Sequence, residues 1–104
     1  METEFWEYKD KVVYHPEKAN KVELAQSSHS RATLWCLMPG QHIHAHVHAG
    51  DHIWVVLEGE GTFRGDGGPR EVKAGTVLMA PHGKIHGVDN GGSQGLVFVS
   101  VSAG

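Results

Sequence analysis

The segment from residue 40 to residue 59 is rich in histidine. Its histidines are His42, His44, His46, His48 and His52. The first four alternate, and because alternate side chains of a β-strand point to the same side, they are predicted to line one face. Neighbours in such a set would lie roughly 6.5–7 Å apart, so two imidazoles could share one metal ion at about 2.0–2.2 Å from each. Apolar runs at 34–38 and 53–57 indicate that this face is partly enclosed.

Three other histidines could supply the remaining ligands of such an ion. His52 begins the return strand that follows a short turn, so it can lie across from His46 and His48. His86 is the best candidate for a fourth ligand because the rigid Pro-His-Gly turn before it can direct a strand back across the molecule. His82 lies inside that turn and is a poorer candidate.

Length and composition limit the possible functions. A chain of 104 residues predicts one domain, residues 1–104, with a modest core that oligomerisation would extend. Its nine basic residues form no run, which argues against nucleic-acid binding. No apolar stretch reaches the roughly 20 residues of a membrane span, and the acidic N-terminus lacks a signal-peptide pattern. The lone Cys36 excludes an internal disulfide, and together these features predict a cytoplasmic protein.

Short apolar runs separated by turn residues predict an all-β fold. Strands are predicted at 11–14, 22–24, 31–38, 41–48, 52–58, 62–64, 70–73, 76–80, 85–88 and 96–101. No segment has the apolar repeat that would support a helix, so the pattern indicates an antiparallel sandwich or barrel. Residues 1–10 carry Phe5, Trp6 and Tyr8, and this N-terminal arm is predicted to dock on its own barrel or on a partner subunit.

Two spaced motifs resemble those of the cupin family, G-X5-H-X-H-X3/4-E-X6-G and G-X5-P-X-G-X2-H-X3-N. The first is matched by Gly40, His46, His48, His52 and Gly59, and the second by Gly75, Pro81, Gly83, His86 and Asn90. The resemblance covers about half of the chain. It implies an all-β jelly-roll barrel of conical shape, usually a homodimer. It also implies one divalent metal ion bound by His46, His48, His52 and His86.

Position 52 departs from the family pattern, because histidine stands there in place of the usual glutamate. Four neutral imidazoles leave the full double positive charge on the ion, which favours its divalent state and strengthens its Lewis acidity. Manganese, iron, nickel, copper and zinc are all candidates. A six-coordinate ion would keep two positions for a chelating substrate, or for a substrate and dioxygen. A closed tetrahedral site for structural zinc is the alternative.

Three functions are compatible with this site. The first is a metal-dependent oxidoreductase of the dioxygenase type that acts on a small chelating organic substrate, with His44 moving protons. The second is an isomerase or lyase acting on a sugar acid or a similar small anion, with the ion as a Lewis acid only. The third is a non-catalytic module that binds a small ligand. A fold does not decide among such roles.

Several other residues are candidates for the pocket. Trp54, Met79 and Phe98 are predicted to line it, although packing in the core would explain the same residue types. Arg64 could pair with a substrate carboxylate, or could be a solvated charge of a hairpin. His42 has the same strand parity as the predicted ligands and could be a base or proton shuttle near the mouth of the barrel, or a solvated histidine at its rim.

Overall fold

The computed structural model describes residues 2–47 and 49–103. Within these residues, one 3-10 helix, η1 (Tyr8–Lys11), precedes nine strands: β1 (Asn20–Gln26), β2 (Ser30–Leu37), β3 (His42–Val47), β4 (Asp51–Glu58), β5 (Glu60–Gly65), β6 (Gly68–Lys73), β7 (Val77–Ala80), β8 (Ile85–Asp89) and β9 (Leu96–Ala103). No helix in this part of the chain is long and apolar enough to span a bilayer.

The strands form two antiparallel sheets that face each other as a jelly-roll sandwich. The five-stranded sheet has the order β1-β2-β9-β4-β7, and the four-stranded sheet has the order β3-β8-β5-β6. The predicted all-β antiparallel fold is therefore confirmed. The strand predicted at residues 11–14 is wrong, because this segment pairs with no strand. Its Val12 instead packs on the outside of the five-stranded sheet.

The main core lies between the two sheets and draws on both of them. Its buried members are Leu37, Trp54, Val56, Val72, Val88, Leu96 and Phe98. The ring of Phe98 on β9 stacks on the ring of Trp54 on β4, with centroids 4.3 Å apart. Removal of this apolar surface from water is the dominant force that holds the sheets together.

The five-stranded sheet is apolar on its outer face as well. Leu34, Cys36 and Val97 are buried there, and Tyr8 of the N-terminal arm packs against them. The arm thus docks on its own sheet through Tyr8, whereas the side chain of Phe5 is 88% exposed. The other end of this face, around Ile53, Val77 and Met79, stays exposed.

Cys36 is expected to resist thiol reagents in the folded protein. Its side chain is fully buried, and burial raises the pKa of the thiol, so little of the reactive thiolate forms near neutral pH. Labelling with a chromogenic disulfide reagent should be slow in buffer and fast in denaturant. Equal labelling rates in the two conditions would contradict the burial of Cys36 on the outer face of the five-stranded sheet.

Candidate metal and anion site

Strand β3 contains a β-bulge that divides its histidines between two faces. Ile43 pairs with Val88 and His46 pairs with His86, so three steps along β3 match two steps along β8. An extra residue on one strand shifts the alternation of its side chains. Val88 and His86 are both buried, and residues opposite each other share a face, so Ile43 and His46 belong to the inner side. The expectation of one shared face is therefore wrong for His42, His44 and His46, because the bulge interrupts the alternation.

A glycine on β8 makes room for this bulge. A Cβ atom added to Gly87 would lie 2.5 Å from the Ile43 carbonyl oxygen and 2.6 Å from the Ala45 nitrogen. These are backbone atoms, so a side chain at this position could be accommodated only by moving β3. The close packing of Gly87 against Ala45 explains how β3 can bulge and still pair with β8.

A Gly87→Ala variant is expected to lose about 1–3 kcal/mol of unfolding free energy, the usual cost of an overpacked site. Urea unfolding followed by circular dichroism would measure this loss. Gly67→Ala is the matched control, because a Cβ atom at Gly67 meets nothing within 4 Å. Equal stability of the Gly87→Ala variant and the parent chain would contradict the tight fit at the bulge.

Two of the predicted metal ligands meet across the sandwich. The ring centroids of His52 on β4 and His86 on β8 lie 5.0 Å apart, with their planes inclined by 58°. His86 is buried and packs edge-on against the ring of Trp54 at 5.5 Å. His52 pairs with Ser102 and with Ala80. The strand after the turn is thus not paired with β3, because the turn carries the chain into the other sheet.

His46 sits beside this pair. It lies directly opposite His86 in the β3–β8 ladder, at the exposed rim of the inner face. Its Nδ1 donates a hydrogen bond of 2.8 Å to the carbonyl oxygen of His44. A carbonyl oxygen can only accept, so Nδ1 carries the proton in the neutral ring and Nε2 is the basic nitrogen. Metal-binding histidines commonly make a hydrogen bond of this kind.

The predicted ligand His48 lies outside the described residues. Among the residues that the structure does describe, no three histidine, cysteine or carboxylate side chains are close enough together to hold a metal ion. The described part of the site therefore consists of the ring pair of His52 and His86 with His46 alongside.

A cavity of about 180 Å³ opens next to His52 and His86. Its cationic side chains belong to Lys21 and Arg31, and its hydroxyl groups to Thr33, Ser100 and Ser102. Trp35, Ile43 and Trp54 form its apolar wall. The described lining residues include no carboxylate, so the cavity carries a positive balance of charge that suits an anion.

The strand register explains why these residues meet. Ser102 on β9 lies between Arg31 on β2 and His52 on β4. Adjacent strands are about 4.8 Å apart, so the backbones of Arg31 and His52 are roughly 10 Å apart, a gap that an arginine side chain can largely span. The inward positions of β9 change from Phe98 to Ser100 and Ser102 along the strand, which turns the apolar core into a polar cavity.

Arg31 is oriented by polar neighbours at the mouth of the cavity. Its Nε lies 3.8 Å from Glu23 Oε1, with both side chains about half exposed. With the Gln26 amide turned to satisfy both of its polar atoms, its oxygen accepts from Arg31 Nη2 at 3.1 Å. An exposed ion pair of this length is weak, so the guanidinium retains most of its capacity to bind an anion.

The other candidate residues occupy different positions. Trp54 lines the cavity, but Met79 lies opposite Ile53 on the outer face and is 56% exposed. Phe98 is buried in the core, where it supports Trp54 from behind. Arg64 is half exposed and donates from Nε to Asp89 Oδ2 at 2.8 Å. None of Met79, Phe98 and Arg64 lines the cavity beside the histidines.

The cationic and hydroxyl lining of the cavity was not predicted from the sequence. The alternation of Ser100 and Ser102 within a β-branched strand was a usable signal, since it marks a polar strip on one face. Lys21 and Arg31 gave no such signal. Only the pairing of β1 with β2, and of β2 with β9, brings them to the histidines.

Comparison with known proteins agrees with the two motifs. Residues 33–102 match the cupin domain family. The oxalate-binding protein of Thermotoga maritima is 34% identical over 90 residues, covering 78% of this chain and 74% of that protein. The crystal structure of TT1209 from Thermus thermophilus superposes with a TM-score of 0.91 at 33% identity, covering 97% of each chain. A Klebsiella pneumoniae protein with a double-stranded β-helix domain gives 0.90 at 31% identity, covering 98% of this chain and 90% of that one. The chain belongs to the cupin family.

Proposed function

We propose that this chain binds one divalent transition-metal ion and holds a small chelating carboxylate anion beside it. The ligands of the ion would be His46, His48, His52 and His86. The observation that carries the proposal is the placement of Lys21 and Arg31 in the same cavity as His52 and His86. An imidazole cluster next to two cations suits an ion and an anion that bind together.

The donor chemistry fits a divalent transition ion. Imidazole is a ligand of manganese, iron, nickel, copper and zinc alike, so the choice among them depends on supply as well as affinity. The hydrogen bond from His46 Nδ1 to the His44 carbonyl leaves Nε2 as the metal-binding nitrogen. When bound, the ion would act as a Lewis acid toward carboxylate oxygens.

The size and charge of the cavity favour a very small anion. Pockets for drug-sized ligands measure roughly 300–1,000 Å³, whereas this cavity measures about 180 Å³. Oxalate and similar short dicarboxylates carry two negative charges on few atoms, which matches the charges of Lys21 and Arg31. The Thermotoga maritima relative is named for binding oxalate, which supports the same class of ligand. Hydroxyl groups of Ser100 and Ser102 can donate to oxygens of such an anion.

Binding is a better-supported role than catalysis. His44, the proton carrier of the oxidoreductase hypothesis, does not line the cavity, and the described lining residues offer no carboxylate as a general base. Oxidation of the bound anion by dioxygen remains the alternative, with isomerisation or lyase chemistry on a small anion as another. Oxygen uptake that depends on both metal and oxalate would favour oxidation over simple binding.

Calorimetric titration with oxalate tests the proposal. Oxalate should bind the metal-loaded protein, and Arg31→Ala should weaken it about tenfold or more while leaving metal content unchanged, because a charge-assisted hydrogen bond contributes roughly 1.5–3 kcal/mol. Arg70→Ala, which removes an exposed arginine that does not line this cavity, is the control. Equal oxalate affinity in the parent and Arg31→Ala proteins would overturn the assignment of the anion site.

We also propose that two copies pair through the exposed end of the outer sheet face. Ile53, Val77 and Met79 form an uncharged apolar strip there, and exposed strips of this kind are typical of protein interfaces. An uncharged strip can face its own copy across a two-fold axis without repulsion. Sedimentation should show a dimer that Met79→Asp dissociates, whereas the exposed Lys84→Asp leaves it intact. A monomeric parent chain would contradict this pairing.

A further inference from the structure

A second histidine pair lies on β3, separate from the cavity. His42 and His44 are both exposed, and neither lines the cavity beside His52 and His86. In a regular strand their side chains would stand roughly 6.5–7 Å apart. Here their ring centroids are 4.3 Å apart, and the two Nε2 atoms approach to 3.2 Å.

The distance between the two Nε2 atoms is close to that between two nitrogen ligands of a single metal ion. Metal–imidazole bonds measure about 2.0–2.1 Å, so two nitrogens 3.2 Å apart would subtend an angle of about 100° at a shared ion. That angle lies between those of square or octahedral sites and that of a tetrahedral site. The ring planes are inclined by 70°, so they are not stacked. Without an ion, a hydrogen bond between the two Nε2 atoms accounts for the approach.

We infer that His42 and His44 form a second, peripheral site for a late divalent transition ion such as copper or nickel. Imidazole binds these ions strongly, and the order of affinities places copper first. Water would complete the coordination sphere. Asp89 lies opposite His42 but is already bonded to Arg64, so the two imidazoles supply the binding. The site is independent of the proposed ion in the barrel.

The two sites share one structural element. The carbonyl oxygen of His44 accepts the hydrogen bond that orients His46. The ring of the same His44 contacts the ring of His42. One bulge thus places two imidazoles outside the barrel and one at its inner rim. Sequence alternation alone would have placed all of them together.

Titration with Cu(II), monitored by electron paramagnetic resonance and calorimetry, tests the inference. The parent chain should bind a peripheral ion with two coordinated nitrogens, and His42→Ala and His44→Ala should each weaken it at least tenfold. His52→Ala removes a proposed ligand of the barrel site and should leave the peripheral ion in place. His29→Ala, which removes another exposed imidazole, is the control.

The outcomes separate the two proposals. A copper ion that survives His52→Ala and is lost in His42→Ala supports the peripheral site even if no ion enters the barrel. Unchanged copper binding in both His42→Ala and His44→Ala would overturn it. An equal loss in His29→Ala would also overturn it, because copper would then be captured by scattered surface histidines.

Discussion

A His86→Ala variant is expected to bind a divalent transition ion at least about 100-fold more weakly than the parent chain. Even the loss of a hydrogen-bond partner of a metal ligand costs roughly 10–100-fold in affinity, and His86 would itself be a ligand. It is the most buried of the described candidates and lies where both sheets meet, 5.0 Å from the ring of His52. Competition with a fluorescent chelator would measure the affinity.

The control for this variant must separate ligand loss from loss of folding. His86 is 1% exposed, so its removal also leaves a cavity. His52→Ala changes a half-buried ring at the mouth and should lose metal affinity with little loss of stability. Circular dichroism would establish that each variant is folded. Unchanged metal affinity in folded His86→Ala and His52→Ala proteins would contradict the proposed site.

A Phe98→Ala variant is expected to lose about 3–5 kcal/mol of unfolding free energy, the usual cost of truncating a buried aromatic residue. Phe98 is 1% exposed and stacks on Trp54 at 4.3 Å, and its ring also lies 6.4 Å from that of Trp35. Because total stabilities are about 5–15 kcal/mol, this variant would be close to unfolding at room temperature. Urea unfolding monitored by tryptophan fluorescence would measure the loss.

Two further variants test whether Phe98 acts through packing. Phe98→Leu keeps much of the apolar volume and should lose less stability than Phe98→Ala. Val77→Ala truncates a side chain that is 65% exposed and should change stability by no more than about 0.5 kcal/mol if the protein is monomeric under the assay conditions. Similar losses for Phe98→Ala and Val77→Ala would contradict the position of the core.

Most of the strands could be predicted because local composition determines them. Residues 31–38, 52–58 and 96–101 are apolar runs between turns, and they became β2, β4 and β9 within one or two residues. The run at 11–14 has similar composition but lacks a partner strand. It packs by its side chains alone. Composition does not distinguish a segment that pairs as a strand from one that only packs on a sheet.

The candidate site was only partly predictable. The two motifs identified His52 and His86, which the structure brings together across the sandwich. The β3 histidines are divided between two faces by a bulge that fits against Gly87. No local sequence pattern predicts such a bulge. Arg31 reaches the cavity through the pairing of β2 with β9, which links residues about 70 positions apart.

The proposed function depends most directly on where the ion and the anion bind. An anomalous-difference map from crystals of the metal-loaded protein with oxalate would locate both. We expect one strong peak about 2.0–2.2 Å from ring nitrogens of His46, His48, His52 and His86, with oxalate between the ion and Arg31. A peak away from these four rings, or oxalate bound remote from Arg31, would contradict the account.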